Sequence, residues 1–149
     1  GGRVKCQSCI RYMDRTADVG ALSTPRSKES VEGIIKKADQ QGAKLDLCGR
    51  NATVPDFSNG DFLNPTVLSN LTPDNIAYTE EIFGPVLVCL HADTMEEALD
   101  IVNNNPYGNG CALFTASGAA ARKFTSSANV GQVGINVPIP VLLAMFYCT

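Results

Sequence analysis

The spacing of hydrophobic residues predicts a helix followed by a short strand in the first third of the chain. Thr24-Pro25 reads as an N-cap with proline in the first turn of a helix that ends near Gln40-Gln41-Gly42. The apolar residues of this helix recur at helical spacing, at positions 31, 34, 35 and 38. Residues 44–48 alternate between polar and apolar, as strands do, and a polar loop follows over residues 49–61.

The middle of the chain predicts a second helix flanked by strands. Pro65 lies within residues 62–71, so any strand there is expected to lie at a sheet edge or to be broken at the proline. The continuous apolar run 86–90 is typical of a strand buried on both faces. Residues 94–97, reading TMEE, form a capping box that predicts a helix ending at residues 103–106, reading NNNP.

The same alternation continues to residue 137 and predicts the fold class. Residues 111–115 form another apolar strand, Ser117 caps a helix that runs to about Ala128, and residues 132–137 give a further strand after Gly131. Strands joined by helices in this way are expected to be parallel, with right-handed crossovers. The prediction is an α/β fold in which βαβ units form a mostly parallel sheet covered by helices.

Composition and charge remove membranes and nucleic acids from the expected binding partners. The chain has 149 residues and a formal net charge of −3, and 18% of its residues are charged. It contains no apolar run of the roughly 18 residues that a membrane-spanning helix needs, so no membrane partner is expected. It also lacks a Lys/Arg cluster, so nucleic acid is not an expected partner.

Cysteines and sequons suggest little chemistry. We expect most of the six cysteines to be buried thiols, because Cys89 and Cys111 lie in apolar runs. Cys6 and Cys9 have the spacing of a redox motif or half a zinc site, but no second pair accompanies them, so no metal site is predicted. The sequons at 51–53 and 70–72 are discounted because no signal peptide starts the sequence.

The loop before residue 86 holds the most informative side chains. Glu80, Glu81 and Phe83 directly precede the apolar run, and α/β proteins bind ligands in loops at strand ends. A carboxylate there can accept hydrogen bonds from both ribose hydroxyls, and an aromatic ring can pack on a flat heterocycle. The same residue types also fit an exposed acidic turn followed by a core-packing phenylalanine.

Three motifs in order resemble the NAD(P)-dependent aldehyde dehydrogenase superfamily. Residues 80–86 read EEIFGPV, residues 104–108 read NNPYG, and residues 131–136 read GQVGIN. The longer stretches 103–110 and 131–140 are most similar to its methylmalonate-semialdehyde dehydrogenase branch, which acylates coenzyme A.

This resemblance suggests three parts of the chain. Residues 17–140 are expected to be the C-terminal part of an aldehyde dehydrogenase catalytic domain. Residues 1–16 form an unassigned lead-in, and residues 141–149 a divergent, truncated end.

The resemblance implies roles for individual residues. Glu81 would hold the nicotinamide-side ribose of NAD, and Phe83 would limit movement of the nicotinamide ring. Gly84 and Pro85 would shape the turn, and Asn136 would support the active site without reacting. In the motif at residues 104–108, Tyr107-Gly108 would form a turn rather than a catalytic element, because the segment lies between a helix and a strand.

The resemblance also implies a reaction. In the family a Cys thiolate attacks the aldehyde, hydride passes to NAD and a thioester forms; in this branch the acyl group goes to coenzyme A with loss of CO2. The chain holds no Gly-Gln-x-Cys motif, and its lone His91 is expected to be a surface residue. No catalytic residue is therefore assigned, and the chain alone is expected to be inactive.

Cell location and assembly also follow from the resemblance. It implies the mitochondrial matrix and a homo-oligomer acting on a small semialdehyde, although no transit peptide is visible in the sequence. The alternative is a non-catalytic protein that associates with full-length subunits, for which an exposed sheet edge would be suited.

Overall fold

A computed structural model describes residues 19–51, 54 and 59–138. The chain divides into two compact units, residues 1–91 and 92–149. The described elements of the first unit are α1 (Pro25–Gln40), β1 (Lys44–Leu47), β2 (Thr66–Ser69), α2 (Ile76–Thr79) and β3 (Val86–Val88). Those of the second unit are α3 (Met95–Asn104), β4 (Gly110–Leu113), α4 (Gly118–Ser127) and β5 (Gln132–Ile135).

The strands of the first unit form a three-stranded sheet in the order β1-β2-β3. Strand β2 lies in the middle, antiparallel to β1 and parallel to β3. Helix α1 contributes Val31, Ile35 and Ala38 to the buried core, where Leu63 and Leu68 are also almost fully buried. Burial of this apolar face stabilises α1, as its helical spacing predicts.

Helix α1 has well-defined ends. The Thr24 hydroxyl accepts a hydrogen bond from the Ser27 backbone N–H at 3.1 Å, so Thr24 is the predicted N-cap. At the other end Gly42 has a φ of +95°, and its N–H donates to the Asp39 carbonyl at 3.0 Å. Glycine adopts this left-handed conformation without a Cβ penalty, which explains why the helix ends there.

Gly49 and Asn64 bring the chain after β1 against the chain before β2. The Asn64 N–H donates to the Gly49 carbonyl at 3.0 Å, and the Gly49 N–H donates to the buried Thr66 hydroxyl at 3.0 Å. A Cβ at position 49 would overlap the Asn64 carbonyl, so the crossing requires glycine.

The second unit contains a parallel βαβ motif. Strands β4 and β5 pair in parallel from Gly110 with Gln132 to Leu113 with Ile135, and α4 connects them. Ser117 caps α4 by accepting from the Ala120 N–H at 3.2 Å, as predicted.

Helix α3 starts at the predicted capping box. Thr94 accepts from the Glu97 N–H at 3.2 Å, and the Glu97 carboxylate accepts from the Asp93 N–H at 2.9 Å. The return bond thus reaches the residue before the cap rather than the cap itself.

The α/β class with mostly parallel strand pairing is confirmed, because two of the three described strand pairs are parallel, and one detail of the prediction is wrong. The run 86–90 is not a strand buried on both faces, because β3 ends at Val88, Leu87 is 58% exposed and Cys89 is exposed. Among the described strands, the one antiparallel pair is that of β1 and β2. Their connection holds no helical period, and a parallel crossover normally needs a helix.

The prediction of buried thiols fails for every described cysteine. Cys48 and Cys89 are exposed and Cys111 is half-buried. An apolar run in the sequence does not say which of its faces a neighbouring element covers. The Cys6 and Cys9 pair and the divergent segment 141–149 lie outside the described residues, as does most of the lead-in.

The elements themselves follow the prediction with small changes. The expectation of an edge strand, or of one broken at Pro65, is wrong: β2 is the central strand of its sheet and begins directly after the proline, which therefore costs the ladder no donor. The short helix α2 was not predicted. In the described part of the chain, no helix has both the length and the apolar character that a membrane crossing requires.

Candidate functional site

The loop that carries Glu81 and Phe83 joins α2 to β3. Asn75 is the N-cap of α2, and its buried side chain accepts from the Ala77 N–H at 3.0 Å and donates to the Ala38 carbonyl at 3.3 Å. The helix ends where the Glu80 N–H donates to the Ile76 carbonyl at 3.0 Å. The start of the loop is thus fixed to α1 through Asn75.

Phe83 projects from this loop in an unusual backbone conformation. Its φ is +50°, in the left-handed region that few residues other than glycine and asparagine adopt. Its side chain is 80% exposed. A large exposed aromatic ring on a strained backbone is a feature of ligand sites, and it argues against the alternative of a core-packing phenylalanine.

The end of the loop is anchored on the sheet and on α1. The Pro85 carbonyl accepts from the N–H of the buried Thr66 at 2.9 Å, and the Val86 N–H donates to the Gly84 carbonyl at 2.8 Å. A Cβ built on Gly84 would lie 3.0 and 3.1 Å from the two Cγ atoms of Val31 on α1. The loop backbone therefore packs directly on α1.

A groove of about 590 Å³ lies between this loop and the start of α1. Its walls combine hydroxyl groups, one guanidinium and the side chains of the predicted site. The lining residues are Ala21, Leu22, Ser23, Thr24, Arg26, Ser27, Ser30, Glu81, Ile82 and Phe83. The structure thus brings Glu81 and Phe83 into one groove.

Glu81 is exposed at this groove and available for a ligand. Within the described residues its carboxylate has no hydrogen-bond or ion-pair partner. Arg26 supplies the guanidinium of the groove lining. Ser23 and Ser27 also line the groove, and their hydroxyl oxygens lie 3.4 Å apart. The groove therefore offers acceptors and donors suited to a polyhydroxyl ligand.

The α1 part of this groove was missed from the sequence. Thr24-Pro25 marked a helix start, but nothing in the sequence linked that helix start to the distant loop at residues 81–83. The link is tertiary, through the packing of Gly84 on Val31.

In the second unit, Asn136 has a structural position. It lies just after β5 with a φ of +56°, and its backbone N–H donates to the Leu113 carbonyl at 2.9 Å. Its side-chain amide accepts from the Thr115 N–H at 2.9 Å and donates to the Thr115 carbonyl at 3.1 Å. This arrangement extends the β4 and β5 ladder.

Tyr107 and Gly108 form the turn before β4. The Tyr107 N–H donates to the Asn105 side-chain oxygen at 2.9 Å, and the Gly108 carbonyl accepts from the Gly131 N–H at 2.9 Å. The first contact is local to the turn. The second joins the segment before β4 to the segment before β5 and so precedes the parallel ladder.

His91 and the described acidic residues form no metal site. His91 is exposed, as expected. Among the described residues, no group of three or more His, Cys, Asp and Glu side chains could hold a metal ion.

The fold and the motif loop define the class of protein. The family model described as "Aldehyde dehydrogenase family" matches residues 4–147. The chain belongs to the aldehyde dehydrogenase family, a family of oxidoreductases, as its three motifs predicted.

The relatives narrow the similarity to one branch. The chain is 53% identical over 133 residues to the Bos taurus methylmalonate-semialdehyde/malonate-semialdehyde dehydrogenase [acylating], mitochondrial, covering 89% of this chain and 25% of the relative. It is 52% identical over 133 residues to an Arabidopsis thaliana methylmalonate-semialdehyde dehydrogenase [acylating], mitochondrial, covering 89% of this chain and 22% of the relative. The chain thus spans about a quarter of the length of the curated relatives it matches.

Solved structures of the same branch are also similar to this chain. A methylmalonate-semialdehyde dehydrogenase from Oceanimonas doudoroffii superposes with a TM-score of 0.84 at 44% identity, over 88% of this chain and 27% of that one. A Sinorhizobium meliloti 1021 protein, assigned the same activity and complexed with NAD, gives a TM-score of 0.88 at 41% identity, over 93% and 29%. The predicted similarity to this branch is confirmed, and the alternative of a non-catalytic binding protein gains no support.

Proposed function

We propose that this chain supplies the nicotinamide-ribose part of the cofactor site in an NAD-dependent, CoA-acylating methylmalonate-semialdehyde or malonate-semialdehyde dehydrogenase. The observation that carries the proposal is the shared groove of Glu81 and Phe83, in a chain similar to the acylating enzymes. An S. meliloti structure of the same branch that is complexed with NAD also supports it.

The residues of the groove fit such a cofactor. The Glu81 carboxylate is acceptor-only, so it suits the two hydroxyl donors of a ribose. The exposed Phe83 ring offers a flat apolar face to an aromatic ring that carries the reacting carbon.

The division of labour follows from these positions. When bound, NAD accepts a hydride from the substrate. Glu81 holds the sugar and Phe83 restricts the ring, so the two residues orient the cofactor without exchanging protons with the substrate. The activated thiol and the general base of the family reaction come from sequence that this chain does not contain.

Site-directed variants test the cofactor role. In a hybrid enzyme, residues 17–140 of this chain replace the matching segment of the Bos taurus relative. Glu81→Gln should raise the KM for NAD by about tenfold, because hydrogen bonds to a charged acceptor are worth about 1.5–3 kcal/mol and a neutral amide retains part of this. Glu80→Gln is the matched control, since Glu80 is exposed but does not line the groove. Equal KM values for the two variants would contradict the proposal.

Immunocapture tests the acylating activity and its location. An antibody against residues 94–105 would capture the native protein from source cells for assay with methylmalonate semialdehyde and NAD. Formation of NADH and release of CO2 should depend on coenzyme A. Activity that is independent of coenzyme A would contradict the acylating assignment.

The same antibody tests the location and the assembly of the protein. The antigen should co-purify with the mitochondrial matrix, and light scattering of the captured protein should give the mass of a homo-oligomer.

A further inference from the structure

Glycine at position 84 is required by space rather than by backbone conformation. The φ of Gly84 lies outside the left-handed region, so an L-residue could adopt its backbone angles. A Cβ there would approach both methyl groups of Val31, at 3.0 and 3.1 Å, and the Cβ of Val31 at 3.6 Å. The close approach to one side chain of α1 is therefore what excludes other residues.

Val31 cannot move aside to accept a larger neighbour. It is 2% exposed and belongs to a buried cluster with Ile35 and Leu63. A valine in a helix is restricted to one strongly preferred rotamer, so rotation does not remove the methyl groups from Gly84. An added methyl group at position 84 must therefore displace the loop.

The loop can move on one side only. Downstream, Pro85 is tied to the buried Thr66 by the 2.9 Å hydrogen bond of its carbonyl. Upstream, Ile82 packs against two buried clusters of the first unit. Phe83 alone is unsupported, because its side chain is 80% exposed and its position depends on the backbone.

We infer that Val31 is a positioning residue for the loop that carries Glu81 and Phe83, and that its contact with Gly84 sets the position of the Phe83 ring. This inference rests on the proposed function of Glu81 and Phe83. Val31 does not itself line the groove, and its contact with the loop backbone is at Gly84.

The contact itself is tested in the full chain of 149 residues. Gly84→Ala should lower Tm and shift the NMR resonances of the Phe83 ring and backbone. Adding Val31→Ala should return those resonances toward the positions seen in the Val31→Ala single variant, because truncation frees the space that the new methyl group needs. Gly33→Ala is the matched control, since a Cβ at that position of α1 meets nothing within 4 Å. Unchanged Phe83 resonances in Gly84→Ala would overturn the inference, as would a double variant without recovery. If Val31→Ala fails to fold, Val31→Cys removes one branch of the side chain and serves instead.

Kinetics of the hybrid enzyme separate positioning from stability. Gly84→Ala should raise the KM for NAD by about tenfold while the KM for the semialdehyde stays near its parent value, since misplacement of a positioning group by about 1 Å can cost up to a hundredfold. The double variant should recover the KM for NAD.

Failure of the inference and failure of the proposed function give different results. If Glu81→Gln changes the use of NAD but Gly84→Ala does not, the positioning role is wrong and the cofactor role stands. If Glu81→Gln has no effect, the cofactor role is wrong whatever Gly84→Ala does. The inference would also be overturned if Gly84→Ala raised the KM for NAD and the added Val31→Ala did not lower it again.

Discussion

The side-chain amide of Asn136 forms two hydrogen bonds with the backbone of Thr115, so it acts as an additional rung after the β4 and β5 ladder ends. Both bonds need the amide, because its oxygen accepts from the Thr115 N–H and its nitrogen donates to the Thr115 carbonyl. Its backbone is left-handed, with a φ of +56°, a conformation that asparagine tolerates better than most residues.

Substitutions at Asn136 should therefore separate the two bonds. Asn136→Ala should destabilise the second unit by about 1–3 kcal/mol, because it removes both side-chain hydrogen bonds to the Thr115 backbone. It should also speed hydrogen exchange at the Thr115 amide. Asn136→Asp keeps the acceptor and should leave that amide protected while still losing the donated bond. Equal exchange of the Thr115 amide in the two variants would refute this assignment.

Two glycines near α1 should respond in opposite ways to alanine. Gly33→Ala should stabilise the first unit by up to about 1 kcal/mol, because glycine is a poor helix former and the site has room for a methyl group. Gly42→Ala should destabilise it by about 1–2 kcal/mol, because the φ of +95° penalises any Cβ. Urea denaturation followed by circular dichroism measures both. Shifts of the same sign would contradict the conformational argument.

Cys48 should be a more reactive thiol than Cys111. The hydrogen bond from the Arg50 guanidinium, at 3.3 Å between Nε and Sγ, is the main cause that lowers the pKa of Cys48. Burial raises the pKa of Cys111. A lower pKa leaves more thiolate at neutral pH, so Cys48 should react with iodoacetamide faster than Cys111.

The pH dependence gives the sign of the Arg50 effect. Arg50→Gln should move the reactivity profile of Cys48 to higher pH, because the thiolate loses its donor and its neighbouring positive charge. The profile of Cys111 in the same sample is the control and should not move. Peptide mapping by mass spectrometry after timed alkylation measures each cysteine separately. An unshifted Cys48 profile would contradict the role of Arg50.

Asn103 should matter more than a nearby ion pair for joining α3 to α4. Its side chain donates to the Ser127 carbonyl at 2.9 Å and accepts from the Asn129 N–H at 2.7 Å. These groups lie at the end of α4, where helical partners run out. Asn103→Ala should therefore cost about 1–2 kcal/mol of unfolding free energy in the second unit.

The comparison variant is Lys123→Ala. Lys123 pairs with Glu96 across the same two helices, but both side chains are at least half exposed. Exposed ion pairs contribute little and are screened by salt. In thermal unfolding, Lys123→Ala should therefore lower Tm less than Asn103→Ala does. The decrease in Tm of Lys123→Ala should disappear at high salt. A larger loss in Lys123→Ala would reverse the ranking.

Local signals in the sequence were sufficient to predict α1, α3 and α4, but not the short helix α2. Caps and breakers act within a few residues, so Thr24 and Ser117 could be recognised without knowledge of the fold. The parallel β4 and β5 pair was also predictable, because a single helix connects the two strands.

Burial of β3 could not be predicted in the same way. The run 86–90 is apolar throughout, but apolar character does not reveal which elements cover a strand. Leu87 shows the difference: the apolar run predicts a buried residue, and the structure leaves it exposed.

The candidate site was predictable on one side only. Glu81 and Phe83 lie in a short motif with recognisable chemistry, so their proposed role could be stated from the sequence. The opposite wall, with Arg26 and Ser30, belongs to a helix start that looks like any other. Only the packing of α1 under the loop turns those residues into part of a groove.

The crossing at Gly49 has a genetic consequence. Every glycine codon begins with two guanines, and any missense change in either of them introduces a residue that carries a Cβ. At position 49 each such residue would collide with the backbone carbonyl of Asn64. Missense alleles at this codon should therefore be purged as a class, and surviving variation there should be confined to silent third-base changes.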